Sequence, residues 1–131
     1  MSKLARDKAN CKSKYWRNKC DDEITRLFRG SSCAVCGTTV NTCAHHLVNK
    51  ARCAIHRHNF DNLISLCPKH HTMGNEIAPH STNAFAVRRF TDYLAEHYPH
   101  IHEWYEAHQF DKGSSDYRAS YEYLKELQEI P

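Results

Sequence analysis

The chain is expected to fold as an α+β protein, mostly helical, built around a small metal-carrying ββα unit. Three observations predict this. Cysteine and histidine pairs with ligand spacing, Cys33/Cys36 and Cys67/His70, bracket the middle third of the 131 residues. Two short strand-like runs, Asn41 to Val48 and Leu63 to Leu66, lie between those pairs. On either side the apolar residues switch to helical spacing.

A chain of 131 residues is one domain of ordinary size, able to bury a modest core. No apolar run approaches the roughly 18 residues that a membrane span needs. Met1-Ser2-Lys3-Leu4-Ala5-Arg6 is charged but leads into no hydrophobic stretch, so no secretory signal is read there. A cytoplasmic location and no membrane partner are the expectation. Seven cysteines, an odd number, speak against a disulfide framework. Cys11, Cys20, Cys43 and Cys53 are expected as free or buried thiols. The net charge of +3 hides an asymmetry: residues 1–30 carry nine Lys/Arg against four Asp/Glu, residues 81–131 five against nine. Lys3, Arg6, Lys8, Lys12, Lys14, Arg17 and Lys19, interleaved with Tyr15 and Trp16, suit either a polyanion or a solvated, partly disordered tail.

Taken in order, the elements divide the chain into a basic arm (1–17), a metal-bearing core (18–80) and a helical extension packed on it (81–131). A helix is predicted from Asn18 to Arg29, with Ile24, Leu27 and Phe28 on one face, acidic residues early, and Gly30 to end it. Ser31 to Gly37 is a turn, Asn41 to Val48 a strand, 49–61 a polar basic loop, and Leu63 to Leu66 a second strand. Pro68 marks the start of a short helix. Beyond Pro79, Ser81 or Thr82 can cap a helix with Ala86, Val87, Phe90, Tyr93 and Leu94 on its stripe. Pro99 breaks it, a second helix follows through Ile101, Trp104, Tyr105 and His108, and a third runs from Ser115 through Tyr117, Tyr121, Leu124 and Leu127. These aromatics are expected in the core rather than as stacking platforms for bases.

The chemistry lies in the middle. Structural zinc takes four S/N ligands in a tetrahedron, and each C-x-x-C or C-x-x-H pair offers two from one tight turn. Cys33, Cys36, Cys67 and His70 make such a set, with His71 the neighbour that can substitute for His70. Adjacent strand residues face opposite ways, so His45 and His46 divide two tasks. His45 and His71 are predicted to hold a divalent ion, with Asn75, one helical turn on, a candidate extra ligand that the commoner reading leaves facing solvent. An ion with so few protein ligands keeps positions for water and phosphate oxygens. His46 suits a general base near neutral pH, and the Asn62 amide can fix the imidazole or its loop. Base, ion and orienting amide together are what phosphodiester hydrolysis requires. Lys50, Arg52 and Arg57 lie in the loop between them, where substrate phosphates must pass; Arg57 is expected on the backbone beside the scissile bond, or else simply in solvent. His56, His58 and His80 are further histidines, read as surface residues ahead of ligands.

His46, Asn62 and His71 resemble the signature positions of the HNH endonucleases, the ββα-metal nucleases, and the two cysteine-based pairs resemble their zinc-stabilised branch. The resemblance covers about residues 18–80. Cys20-Asp21 ahead of a helix, the Cys33-x-x-Cys36-Gly37 turn, Ala44-His45-His46, Arg57 five residues before Asn62, and Leu66-Cys67 look most like phage and prophage members. It departs from them at His70, usually cysteine, and at Leu63, often glycine. The resemblance implies a structural Zn²⁺ and a catalytic Mg²⁺ or Mn²⁺, with Ni²⁺, Co²⁺ or Zn²⁺ as other ions. It implies DNA as partner and 5′-phosphate and 3′-hydroxyl product ends. The setting would be phage DNA processing, packaging or recombination in a bacterial host, beside phage packaging or recombination proteins, as a monomer or weak homodimer. Low sequence specificity is expected. A non-catalytic zinc-finger DNA-binding protein and a branched-DNA resolvase are the alternatives.

Overall fold

The computed structural model describes residues 1–51 and 53–129. It is an α+β protein in which helices predominate around one two-stranded antiparallel sheet. The basic N-terminus is helical, which does not fit a disordered tail, one of the two readings of that stretch. Helix α1 (Lys3–Ala9) is capped by Ser2, whose Oγ accepts from Ala5 N–H at 3.1 Å. Helix α2 begins at Lys14, ahead of the predicted start, and ends at Phe28. The early start is held from both sides: Trp16 Nε1 donates to the Lys8 carbonyl at 2.9 Å, and the Trp16 ring lies against Tyr121.

Strand β1 is only Cys43–His46, shorter than the predicted run. Asn41 has a left-handed φ of 55°, which interrupts extended backbone before the strand. Beyond it, Val48 is turned aside by bonds to the Asn62 amide. Strand β2 (Leu63–Leu66) is where it was expected and is buried throughout. The register pairs Cys43 with Leu66, Ala44 with Ser65, His45 with Ile64 and His46 with Leu63. Opposite residues share a face, so Cys43, His45, Ile64 and Leu66 look one way and Ala44, His46, Ser65 and Leu63 the other.

Both faces are covered, which is why β2 is apolar without alternation. On the His45 face, Ile64 and Leu66 join Cys33, Cys67, Phe90 and Leu94 in one core. On the His46 face, Leu63 joins Cys20, Ile24, Tyr117 and Leu124 in a second. The first core rests on α3 (Ala84–His97) and reaches Ile101 of α4 (Pro99–His108); the second joins α2 to α5 (Tyr117–Glu129).

Three terminal details differ from expectation. The helix predicted at Pro68 is one five-residue π-type turn, Lys69–Met73. Gly74 ends it against its own chain, where a Cβ would meet the Lys69 carbonyl oxygen at 2.0 Å. Helix α3 is capped by Asn83, not Ser81 or Thr82: its Oδ1 accepts from Phe85 N–H at 2.9 Å, and Val87 lies on the exposed side. Helix α5 starts after Asp116, whose Oδ1 accepts from Ala119 N–H at 2.9 Å. No helix among the described residues is long and apolar enough to cross a membrane.

Candidate metal centre

The first cluster is woven into the α3 core. The turn at 34–36 and the Lys69–Met73 turn present Cys33, Cys36, Cys67 and His70 to one another, their donor atoms within 4.8 Å. Cys36 Sγ and Cys67 Sγ are 3.7 Å apart, and His70 Nδ1 lies 3.3 Å from Cys67 Sγ and 4.0 Å from Cys33 Sγ. A tetrahedron with metal–sulfur bonds of about 2.3 Å and metal–nitrogen bonds of about 2.0–2.1 Å has S–S edges near 3.8 Å and S–N edges near 3.6 Å. The four residues therefore fit a tetrahedral ion such as zinc. Burial would raise the Cys33 thiol, but amides of Cys36, Cys67 and Val35 point at it and bring it below its ordinary value, toward the thiolate a metal needs. Burial lowers His70, keeping its imidazole neutral for ligation. None of the seven cysteines is in a disulfide.

The second cluster joins His45 and His71, as predicted, to His80, which was read as a surface residue. The ring centroids form a near-equilateral triangle: His45–His71 5.1 Å, His45–His80 4.7 Å and His71–His80 5.0 Å. A backbone bond from His80 N–H to the His71 carbonyl, 2.9 Å, returns the chain after Gly74 and brings His80 in. His45 is buried, Phe90 lies edge-on to it, and its Nδ1 has no hydrogen-bond partner among the described residues. Burial and the other imidazoles hold its pKa down at about 2, so the ring is neutral. Burial lowers His71 in the same direction. Three imidazoles with donor atoms within 4.8 Å of one another, those of His45 and His71 kept neutral by burial, are a donor set that suits a divalent ion.

His46 faces the other way, into a cleft of ≈ 330 Å³. Its Nε2 lies 2.9 Å from the Arg57 carbonyl oxygen. A carbonyl only accepts, so Nε2 carries the proton and Nδ1 the lone pair. Burial and the charges of Lys50 and Arg57 lower the His46 pKa against that hydrogen bond, leaving the ring neutral at neutral pH. Asn62, fully buried, makes its hydrogen bonds to backbone and none to the imidazole. Its Oδ1 accepts from Val48 N–H at 2.6 Å, and its Nδ2 donates to the carbonyls of Val48 at 3.1 Å and His56 at 3.0 Å. It ties Val48, at the start of the loop, and His56, within it, to the residue that ends the loop, beside the Arg57 carbonyl that holds the His46 ring.

No protein-family model, curated protein or solved structure matches this chain. The site stands on its geometry.

The loop cations part company. Lys50 is exposed and lines the cleft. Arg57 is engaged elsewhere, contrary to the expectation of a phosphate hook: Nε and Nη2 donate to Asp21 Oδ1 and Oδ2 at 3.0 and 2.7 Å. Arg52 lies outside the described residues. Asn75 follows the end of the helical turn, so the register that would have returned it to His71 is lost. It is exposed, and its carbonyl accepts from Asn83 Nδ2 at 3.4 Å. His56 and His58 are neither surface residues nor in either ligand cluster. His56 Nε2 is 2.9 Å from Asp111 Oδ2 beneath Trp104, and His58 Nε2 is 2.7 Å from Asp21 Oδ1. Burial would raise Asp21, but hydrogen bonds from His58 and Arg57 hold its carboxyl well below the usual range. Sequence reasoning missed Asp21 and Arg29 as cleft residues and named His80 as a ligand only behind a surface reading. The one signal for His80 was its place, nine residues past His71 and directly after a proline.

Proposed function

We propose that this protein is a metal-dependent DNA endonuclease of the HNH type. The observation that carries the reading is the three-imidazole cluster of His45, His71 and His80 beside His46, a separate imidazole with a fixed tautomer. A purely structural site has no use for the fourth ring. A divalent ion held by His45, His71 and His80 would supply Lewis-acid stabilisation of charge on a phosphodiester. The remaining roles fall to the chain itself. His46 Nδ1 takes the proton of the attacking water while Nε2–H stays on the Arg57 carbonyl. Asn62 keeps that loop in place. Lys50 and Arg29, on the rim of the cleft, neutralise backbone phosphates. The Cys33/Cys36/Cys67/His70 site anchors the turn that carries His71, tying ligand geometry to folding. Product ends of 5′-phosphate and 3′-hydroxyl, and a phage setting, come with the family resemblance.

Supercoiled plasmid is the direct test, incubated with zinc-loaded protein and Mg²⁺, Mn²⁺, Ni²⁺, Co²⁺, Zn²⁺ or EDTA, beside His46→Ala. Metal-dependent nicking that disappears in His46→Ala is the expected result. Failure to cut plasmid or branched DNA with any of the ions would overturn the reading in favour of a zinc-dependent DNA-binding module. Cleavage of branched DNA alone would make the enzyme a junction resolvase.

A further inference from the structure

A general base works only if its imidazole is held still, and His46 is held by one backbone carbonyl on a loop without strand or helix. The direction of that carbonyl depends on what fixes residues 56–58. One holder is Asn62, through the His56 carbonyl at 3.0 Å. The other comes from outside the sheet. Asp21, on α2, accepts from Arg57 Nε at 3.0 Å, Arg57 Nη2 at 2.7 Å and His58 Nε2 at 2.7 Å. Arg57 and His58 flank the peptide that presents the carbonyl to His46. A two-pronged guanidinium–carboxylate pair fixes direction as well as distance. The anchor beneath it is rigid: Cys20 and Ile24, on either side of Asp21 along α2, are buried against Tyr117 and Leu124 of α5. Asp21 also lines the cleft, where a free carboxylate would repel phosphate; pairing with Arg57 cancels that charge.

We propose that Asp21 is a positioning residue: through Arg57 and His58 it orients the carbonyl that receives His46 Nε2–H, and so presents Nδ1 to the cleft. The catalytic part of this rests on the nuclease reading. The hydrogen bond itself does not, so the test has two independent readouts.

Asp21→Asn keeps the shape and removes the charge, and Arg57→Lys keeps the charge and removes the fork; the second serves if the first fails to fold. In zinc-loaded protein, proton–nitrogen NMR of the His46 ring should show a hydrogen-bonded Nε2–H resonance in wild type that is lost in either variant. Cleavage should show kcat lowered about 10–100-fold, as for loss of an orienting partner, with KM and zinc content unchanged and the protein still folded at the assay temperature, though melting lower for the lost ion pair. A folded, zinc-loaded variant with an intact Nε2–H resonance and wild-type kcat overturns the proposal. So does a kcat loss matched by loss of zinc and of folded protein at the assay temperature, which would make Asp21 merely structural. Wild-type protein that shows the resonance but cleaves nothing sinks the nuclease reading, while the resonance in the variants still decides the role of Asp21 in holding the ring.

Discussion

Replacing Asn62 by alanine puts the loop staple under direct strain. The side chain is 0% exposed and closes three hydrogen bonds, accepting from Val48 N–H and donating to the carbonyls of Val48 and His56. Alanine strands one amide and two carbonyls at once. A buried backbone group left without a partner costs about 1–3 kcal/mol. The carbonyls fall toward the low end of that range, because water entering the vacated space can reach them. The sum is about 3–5 kcal/mol, a large share of the roughly 5–15 kcal/mol that holds a domain together. Urea unfolding at fixed free zinc, followed by tryptophan fluorescence, measures it. Asn62→Asp sharpens the test: it keeps the acceptor for Val48 but turns both donors into a carboxylate oxygen facing two carbonyls. It should cost at least as much as alanine. A loss below about 1 kcal/mol in Asn62→Ala, or an Asn62→Asp protein of wild-type stability, would refute the staple.

The other expectations concern the metal sites and pH. Cys36→Ser removes one corner of the tetrahedral set, so released-zinc titration should find the structural ion lost and the Phe90–Leu94 core loosened in circular dichroism; full zinc retention would contradict the assignment. His80→Ala should weaken Co²⁺ or Mn²⁺ binding at the histidine cluster on the order of tenfold or more, and unchanged affinity by calorimetry would leave His80 a bystander. His45 gives stability a pH dependence of known sign. Its folded pKa, about 2, lies below the unfolded value of about 6.5, so the folded state binds fewer protons. Its contribution is full above about pH 6.5 and is lost as the pH falls from there toward 2. Between pH 7.5 and 5.5 the loss should be about 1.4 kcal/mol, and absent from His45→Asn. Equal slopes in the two proteins would mean that the ring is not held neutral.

What could be foreseen depended on how locally it was encoded. The cysteine pairs were legible because each supplies two ligands from one turn, and no distant contact is needed to bring Cys33 to Cys36 or Cys67 to His70. Leu63 to Leu66 was legible as an apolar run closed by Asn62 and Pro68. The opposed faces of His45 and His46 followed from the two-residue period of a strand. Helix starts were less legible: Asn83 competes with Ser81 and Thr82 as a cap on equal chemical terms, and Lys14 joins α2 only because Trp16 is held by Lys8 and Tyr121.

The sequence by itself determined the turn-spaced cysteine and histidine pairs, the placement of β2 and the alternation that separates His45 from His46. These are consequences of covalent spacing and backbone period, and they hold whatever the rest of the chain does. The tertiary structure alone decided that His80 completes the histidine cluster, that Arg57 is paired with Asp21, and that Asn62 grips the backbone of Val48 and His56. Each of those partners is chosen when docked elements exclude water, because a buried charge or amide must then take whatever complementary group lies beside it.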